Sequence, residues 1–153
     1  MNTDIVYFTE SEFGAWWPFM SDALLTRLDA FRKAWGNTVI ISPAAGSLGR
    51  YMDKGAGSQH NVTRWGEVRA ADIMPLIDTP NGARSLSRSE LRQAYDVALS
   101  VGFTGIGAYP DWRPHPGLHV DVRTDRTQGS PATWSGIRTA NGQEYFGVER
   151  AFT

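Results

Sequence analysis

Apolar positions in this chain switch between helical and strand periods, and the switches outline the fold. Leu24, Leu25, Leu28, Phe31 and Trp35 recur at helical spacing between a plausible N-cap at Ser21 and a glycine stop at Gly36. Ser87 with Glu90 three residues later forms a capping-box signature. Leu91, Ala94, Tyr95, Ala98 and Leu99 then give a second helical face, which Gly102 ends. Short β-branched or apolar runs predict strands at 38–42, 69–74 and 103–109, with a further one at 144–148. Residues 118–123 alternate Leu, Val, Val against His, Asp, Arg, so His119, Asp121 and Arg123 share one face of a half-buried strand. Residues 9–19 hold Phe13, Trp16, Trp17 and Phe19 and read as a segment covering the core. Residues 43–58 hold four glycines and no periodicity, which predicts a long loop of the kind that often carries function. The tail from Thr124 is turn-rich, with Trp134 in Ala-Thr-Trp-Ser-Gly.

Together these elements predict a single α+β domain over residues 1–153, a small antiparallel sheet with flanking helices. An apolar content of 41% with 12% aromatics fits a packed core. A net charge of −1 gives no reason to expect nucleic acid or an anionic membrane as partner. No run approaches the roughly 18 apolar residues of a membrane span. The start, Met1-Asn2-Thr3-Asp4, lacks the basic and apolar regions of a signal peptide, so synthesis in the cytoplasm is expected. The absence of cysteine excludes disulfides, thiolate metal sites and cysteine nucleophiles.

The chemistry gathers in two fragments. Ser58-Gln59-His60 runs on to Ala70-Ala71-Asp72, and Leu118-His119-Val120-Asp121 follows later. With His115, these hold all three histidines of the chain. Imidazole nitrogen and carboxylate oxygen are common zinc ligands, and a catalytic site needs three of them, with water in the fourth position. The order His, Asp, then His-x-Asp therefore reads as a zinc site.

These motifs resemble the zinc D-alanyl-D-alanine metallopeptidases, which share a fold with the hedgehog signalling domain. Their pattern of Ser-x-His, Gly-x-Ala-x-Asp and a later His-x-Asp is similar to Ser58-Gln59-His60, then Gly66, Ala70 and Asp72-Ile73, then His119-Val120-Asp121. The lead-in Gly105-Ile106-Gly107-Ala108-Tyr109-Pro110 and the run from His119 to Arg123 resemble a branch found in bacterial cell-wall enzymes and phage lysis or virion proteins. The resemblance covers roughly residues 38–136. It implies that His60, Asp72 and His119 hold Zn2+, and that the reaction is hydrolysis of an amide in a peptidoglycan stem peptide. It further implies action on the cell wall after release or as a virion component, by a monomer unless the chain is part of a virion.

Three departures shape the expectation. His60 and Asp72 stand farther apart than in the family, so residues 61–69 must bulge out. Pro116 occupies the position, three residues before His119, where many relatives place a catalytic carboxylate. Asp121 then becomes a candidate for base or for orienting partner, with His115 and Asp111 as other candidates. The family's oxyanion-steadying arginine has a counterpart in Arg50, in a different register. Trp65 and Trp112 either line a substrate groove or pack. The alternative to a peptidase is a non-catalytic wall-binding or virion structural protein that keeps the zinc fold.

Overall fold

The computed structural model describes residues 4–153, and the reading of residues 1–3 lies outside them. Helix α1 (Asp22–Trp35) and helix α3 (Arg88–Ser100) form where the stripes predict. Ser21 Oγ accepts from Leu24 N, and Gly36 ends α1 at φ 74° in the left-handed region. The Ser87–Glu90 capping box is present in full, with Ser87 N donating to Glu90 Oε1 and Glu90 N donating to Ser87 Oγ. Of the aromatic segment, a 3₁₀ stretch at Glu10–Phe19, only Phe13 is fully inside.

Strands β1 (Val39–Ile41), β2 (Ala70–Pro75), β5 (Gly105–Tyr109), β6 (Gly117–Asp121), β7 (Ala132–Thr139) and β8 (Gly142–Phe146) form one sheet. Its order is β1-β2-β6-β5-β7-β8. A separate hairpin pairs β3 (Ile77–Thr79) with β4 (Gly82–Arg84). The expected small antiparallel sheet is thus a larger, mixed one, because β5 and β7 run parallel. The reason is topological. β6 already fills one edge of β5, so the chain crosses over through residues 122–131 and adds β7 on the other edge.

The three central strands are buried along their whole length, and alternation sorts their residues. Ala71, Ile73, Ile106, Ala108, Leu118 and Val120 join Leu24, Leu28, Phe31, Leu91 and Ala98 in the core beneath the helices. The opposite face carries Asp72 from β2, Gly105, Gly107 and Tyr109 from β5, and His119 and Asp121 from β6.

Over that face lies the loop after β1. Its hydrogen bonds show why it is ordered: Asp72 N donates to Ser47 O, Arg50 N to His60 O and Val62 N to Arg50 O. The buried Asn61 side chain donates to the carbonyls of Asp53 and Ala56. Between His60 and Asp72 the chain makes the one-turn helix α2 (Val62–Trp65), which Gly66 stops, and Val62 and Val68 tuck into the core. Among the described residues, no helix is long and apolar enough to cross a membrane.

Candidate metal centre

Antiparallel pairing sets Asp72 of β2 directly opposite His119 of β6. The loop brings His60 in from above, with His60 N donating to Ser58 Oγ. His60 Nε2, His119 Nδ1 and Asp72 Oδ1 then form a near-equilateral triangle: 3.2 Å between the two nitrogens, 3.2 Å from His119 to Asp72 and 3.3 Å from His60 to Asp72. His60 is 2% exposed, Asp72 and His119 9% each. These three residues could hold a metal ion.

The partners on the far side of each imidazole fix what the triangle offers. His60 Nδ1 lies 2.6 Å from the Leu48 carbonyl oxygen, which only accepts. His119 Nε2 lies 2.7 Å from Asp121 Oδ2. Each of these nitrogens therefore donates, and in the neutral imidazoles the lone pairs of His60 Nε2 and His119 Nδ1 point at the Asp72 carboxylate oxygen. Three electron pairs converging in a buried spot call for a cation. Without a metal, a proton takes that place and His119 donates to Asp72. Burial works against a charged His119, yet hydrogen bonds to Asp121 and Asp72 outweigh it and push its pKa up to about 9. Burial also opposes charge on Asp72, but the hydrogen bonds from His119 and His60 prevail and hold its carboxyl well below the usual range.

Asp121 is fully buried behind His119, away from the cleft. Besides the histidine, it accepts from Arg123: Nε donates to Oδ1 at 2.9 Å and a terminal nitrogen to Oδ2 at 2.5 Å. Burial raises its pKa, while Arg123 and then His119 bring it far down. Both oxygens are thus engaged, Oδ2 by the imidazole and Arg123 and Oδ1 by Arg123 alone, the arrangement by which a carboxylate orients a metal-binding histidine. Space for it comes from Gly105, where an added Cβ would stand 2.2 Å from an Asp121 carboxylate oxygen.

A cleft of about 680 Å3 opens over the trio, within the roughly 300–1,000 Å3 of small-ligand sites. Arg50 lines it, its guanidinium 3.6 Å from Asp72 Oδ2 and its Nε donating to Gly46 O. Trp112 lines it too, stacked on Tyr109 with ring centroids 4.1 Å apart. Gln59 adds a buried carboxamide oxygen with no hydrogen-bond partner among the described residues.

Other candidates lie elsewhere. His115 is not part of the cleft lining, and its Nδ1 meets Ser85 Oγ at 2.5 Å. Asp111 accepts from Arg138 N outside the cleft. Trp65 donates to Ser58 O and lies between the guanidinium groups of Arg64 and Arg69, a packing role.

Tyr109 and Trp134 are among the cleft residues that escape the sequence reading as site residues. The alternating glycines of Gly105-Ile106-Gly107 were the available signal, since a strand face without Cβ atoms makes room for large neighbours. No family model, no curated protein and no solved structure matches this chain.

Proposed function

We propose that this chain is a zinc-dependent peptidase that hydrolyses an amide in peptidoglycan stem peptides, akin to the D-alanyl-D-alanine metallopeptidases in ligand order and fold. The observation that carries the reading is the triangle of His60, Asp72 and His119 lone pairs at the floor of the cleft. Tetrahedral zinc with bonds of about 2.0–2.1 Å separates its ligand atoms by roughly 3.3–3.4 Å, and the triangle's edges are 3.2–3.3 Å. Two imidazoles and one carboxylate also suit zinc better than magnesium or calcium, which favour all-oxygen shells. Zinc in such a site supplies Lewis-acid polarisation of a carbonyl and lowers the pKa of water to about 7.

The chain's own groups do the rest. His60 and His119 are held in their tautomers by Leu48 O and Asp121. Arg50 offers a guanidinium at the rim of the trio, suited to negative charge on a substrate oxygen. Trp112 and Tyr109 form an aromatic wall for the peptide.

One observation favours a second reading. Asp72 is the sole carboxylate lining the cleft among the described residues, so no side-chain base stands free beside the trio. A wall-binding or virion structural protein that retains the metal fits that composition. Digestion of purified sacculi, with and without a chelator, separates the two. The peptidase reading expects new amino termini that appear only with metal and vanish in a His60→Ala, His119→Ala double variant. Retention of the metal-loaded protein on sacculi without any bond cleavage would support the structural reading instead.

A further inference from the structure

Tyr109 carries a polar group in the cleft that neither the metal trio nor its supports employ. Its ring lies flat against Trp112, 12° between planes. On the strand beneath, a Cβ at Gly107 would stand 2.8 Å from the ring and 2.4 Å from Trp134 Nε1, so the bare glycine lets both aromatics settle there. Its hydroxyl is 2.9 Å from Trp134 Nε1. Indole N–H is a donor only, so the tyrosine oxygen must be the acceptor in that bond. The phenolic proton is therefore directed elsewhere, and no acceptor for it exists among the described residues.

The position of this proton matters. Gly107 pairs with His119 across β5 and β6, which sets Tyr109 two residues along on the same face. Trp134, which grips the hydroxyl, has its ring centroid 5.2 Å from that of His119. Tyr109 and the trio line one cleft. Burial pushes the phenol's pKa up to about 12 against the Trp134 hydrogen bond, so it keeps its proton throughout the neutral range.

We propose that the Tyr109 hydroxyl is a catalytic hydrogen-bond donor to the carbonyl oxygen of the scissile amide, with Trp134 as the positioning residue that aims it. The inference rests on the peptidase reading. As water adds to the carbonyl carbon, the C=O π pair moves onto oxygen, and the Tyr109 O–H bond points at that growing charge. On collapse the pair re-forms the C=O bond. The C–N bond breaks with its electrons going to nitrogen, which takes up a proton from the attacking water. Tyr109 gains and loses no proton. Its contribution is a dipole fixed before reaction, which costs no reorganisation when the charge appears.

The test uses Tyr109→Phe, which preserves the ring and its stacking. Wild-type digestion of sacculi identifies the bond, and a phosphinate isostere of the muropeptide at that bond mimics the tetrahedral state. Tyr109→Phe should lower kcat by about 10²–10³-fold with KM little changed. Phosphinate affinity, read by calorimetry on zinc-loaded protein, should fall by a comparable factor, while affinity for an uncleavable planar analogue stays. Trp134→Phe keeps the hydroxyl but not its aim, and should lose less kcat than Tyr109→Phe. Thermal unfolding and zinc content confirm that each variant is intact, and if Tyr109→Phe does not fold, Trp134→Phe decides, an unchanged kcat overturning the assignment. Wild-type cleavage with an unaltered kcat and phosphinate affinity in Tyr109→Phe overturns the assignment and leaves the peptidase reading standing. Absence of cleavage by zinc-loaded wild type removes that reading, and the role of Tyr109 with it.

Discussion

Replacing Asp121 by asparagine changes charge at nearly constant shape, and the structure sets the size of the effect. The carboxylate receives His119 Nε2–H at 2.7 Å and two guanidinium donors of Arg123. A carboxamide can serve one of these partners with its oxygen, but it turns an NH2 toward the other. Breaking a buried ion pair from one side typically costs about 3–5 kcal/mol. The Arg123 side chain is 22% exposed and regains some water, so the low end, about 3 kcal/mol, is expected. In a domain of this size that is roughly 6–12 °C in Tm. The functional loss is separate. Without its orienting acceptor, His119 should bind metal about 10–100-fold more weakly. Competition titration against a chromophoric chelator measures this, and thermal unfolding with and without metal measures stability. Full metal affinity in a folded Asp121→Asn variant would refute the orienting role. A collapse of kcat at saturating zinc, with affinity unchanged, would instead make Asp121 a proton carrier.

Three further outcomes are expected. The metal-free protein should lose stability as pH rises from about 6.5 to about 9, by at most about 3 kcal/mol, because His119 has a folded pKa near 9 and an unfolded one near 6.5, so its stabilisation is complete below the lower value and gone above the higher; a flat Tm across that window contradicts the assignment. Asp72 and Asp121, with depressed pKa values, act in the opposite sense, and their contribution should disappear only as pH falls below about 4. Chelation should leave unfolding cooperative, since the core of Leu24, Phe31, Leu91 and Ile106 lies on the other face of the sheet; a non-cooperative melt would show that metal is required for folding. Gly105→Ala should destabilise by about 1–3 kcal/mol through overpacking against Asp121 and weaken metal binding with it, whereas wild-type values for both would mean that the strand yields at no cost.

The helices were legible because their signals are local. The stripes of α1 and α3, the Ser21 and Ser87 caps and the Gly36 stop each sit within a few residues of what they specify. The shared face of His119 and Asp121 was legible for the same reason, since alternation within one strand decides it. Strand β7 was not. It holds Thr, Ser and Gly without a clean alternation, and what makes it a strand is parallel pairing with β5, as of Gly105 with Ala132, far away in sequence. The β3–β4 hairpin was missed although Asn81-Gly82 marks its turn. The depth of Asp121 was also hidden: sequence puts it on the face of His119, but only the glycine opposite, Gly105, lets it sink behind the imidazole.

The direct opposition of Asp72 and His119 has a kinetic consequence. These partners are 47 residues apart, and nothing brings them together until β2 and β6 pair. Such a nonlocal contact carries a loop-closure cost that must be met before any ligand set exists. A metal ion therefore has no competent site on the unfolded chain, and it arrives after the central ladder has closed. Metal held there would act on the exit from the native state, slowing unfolding and leaving the refolding rate nearly as it is in the metal-free protein.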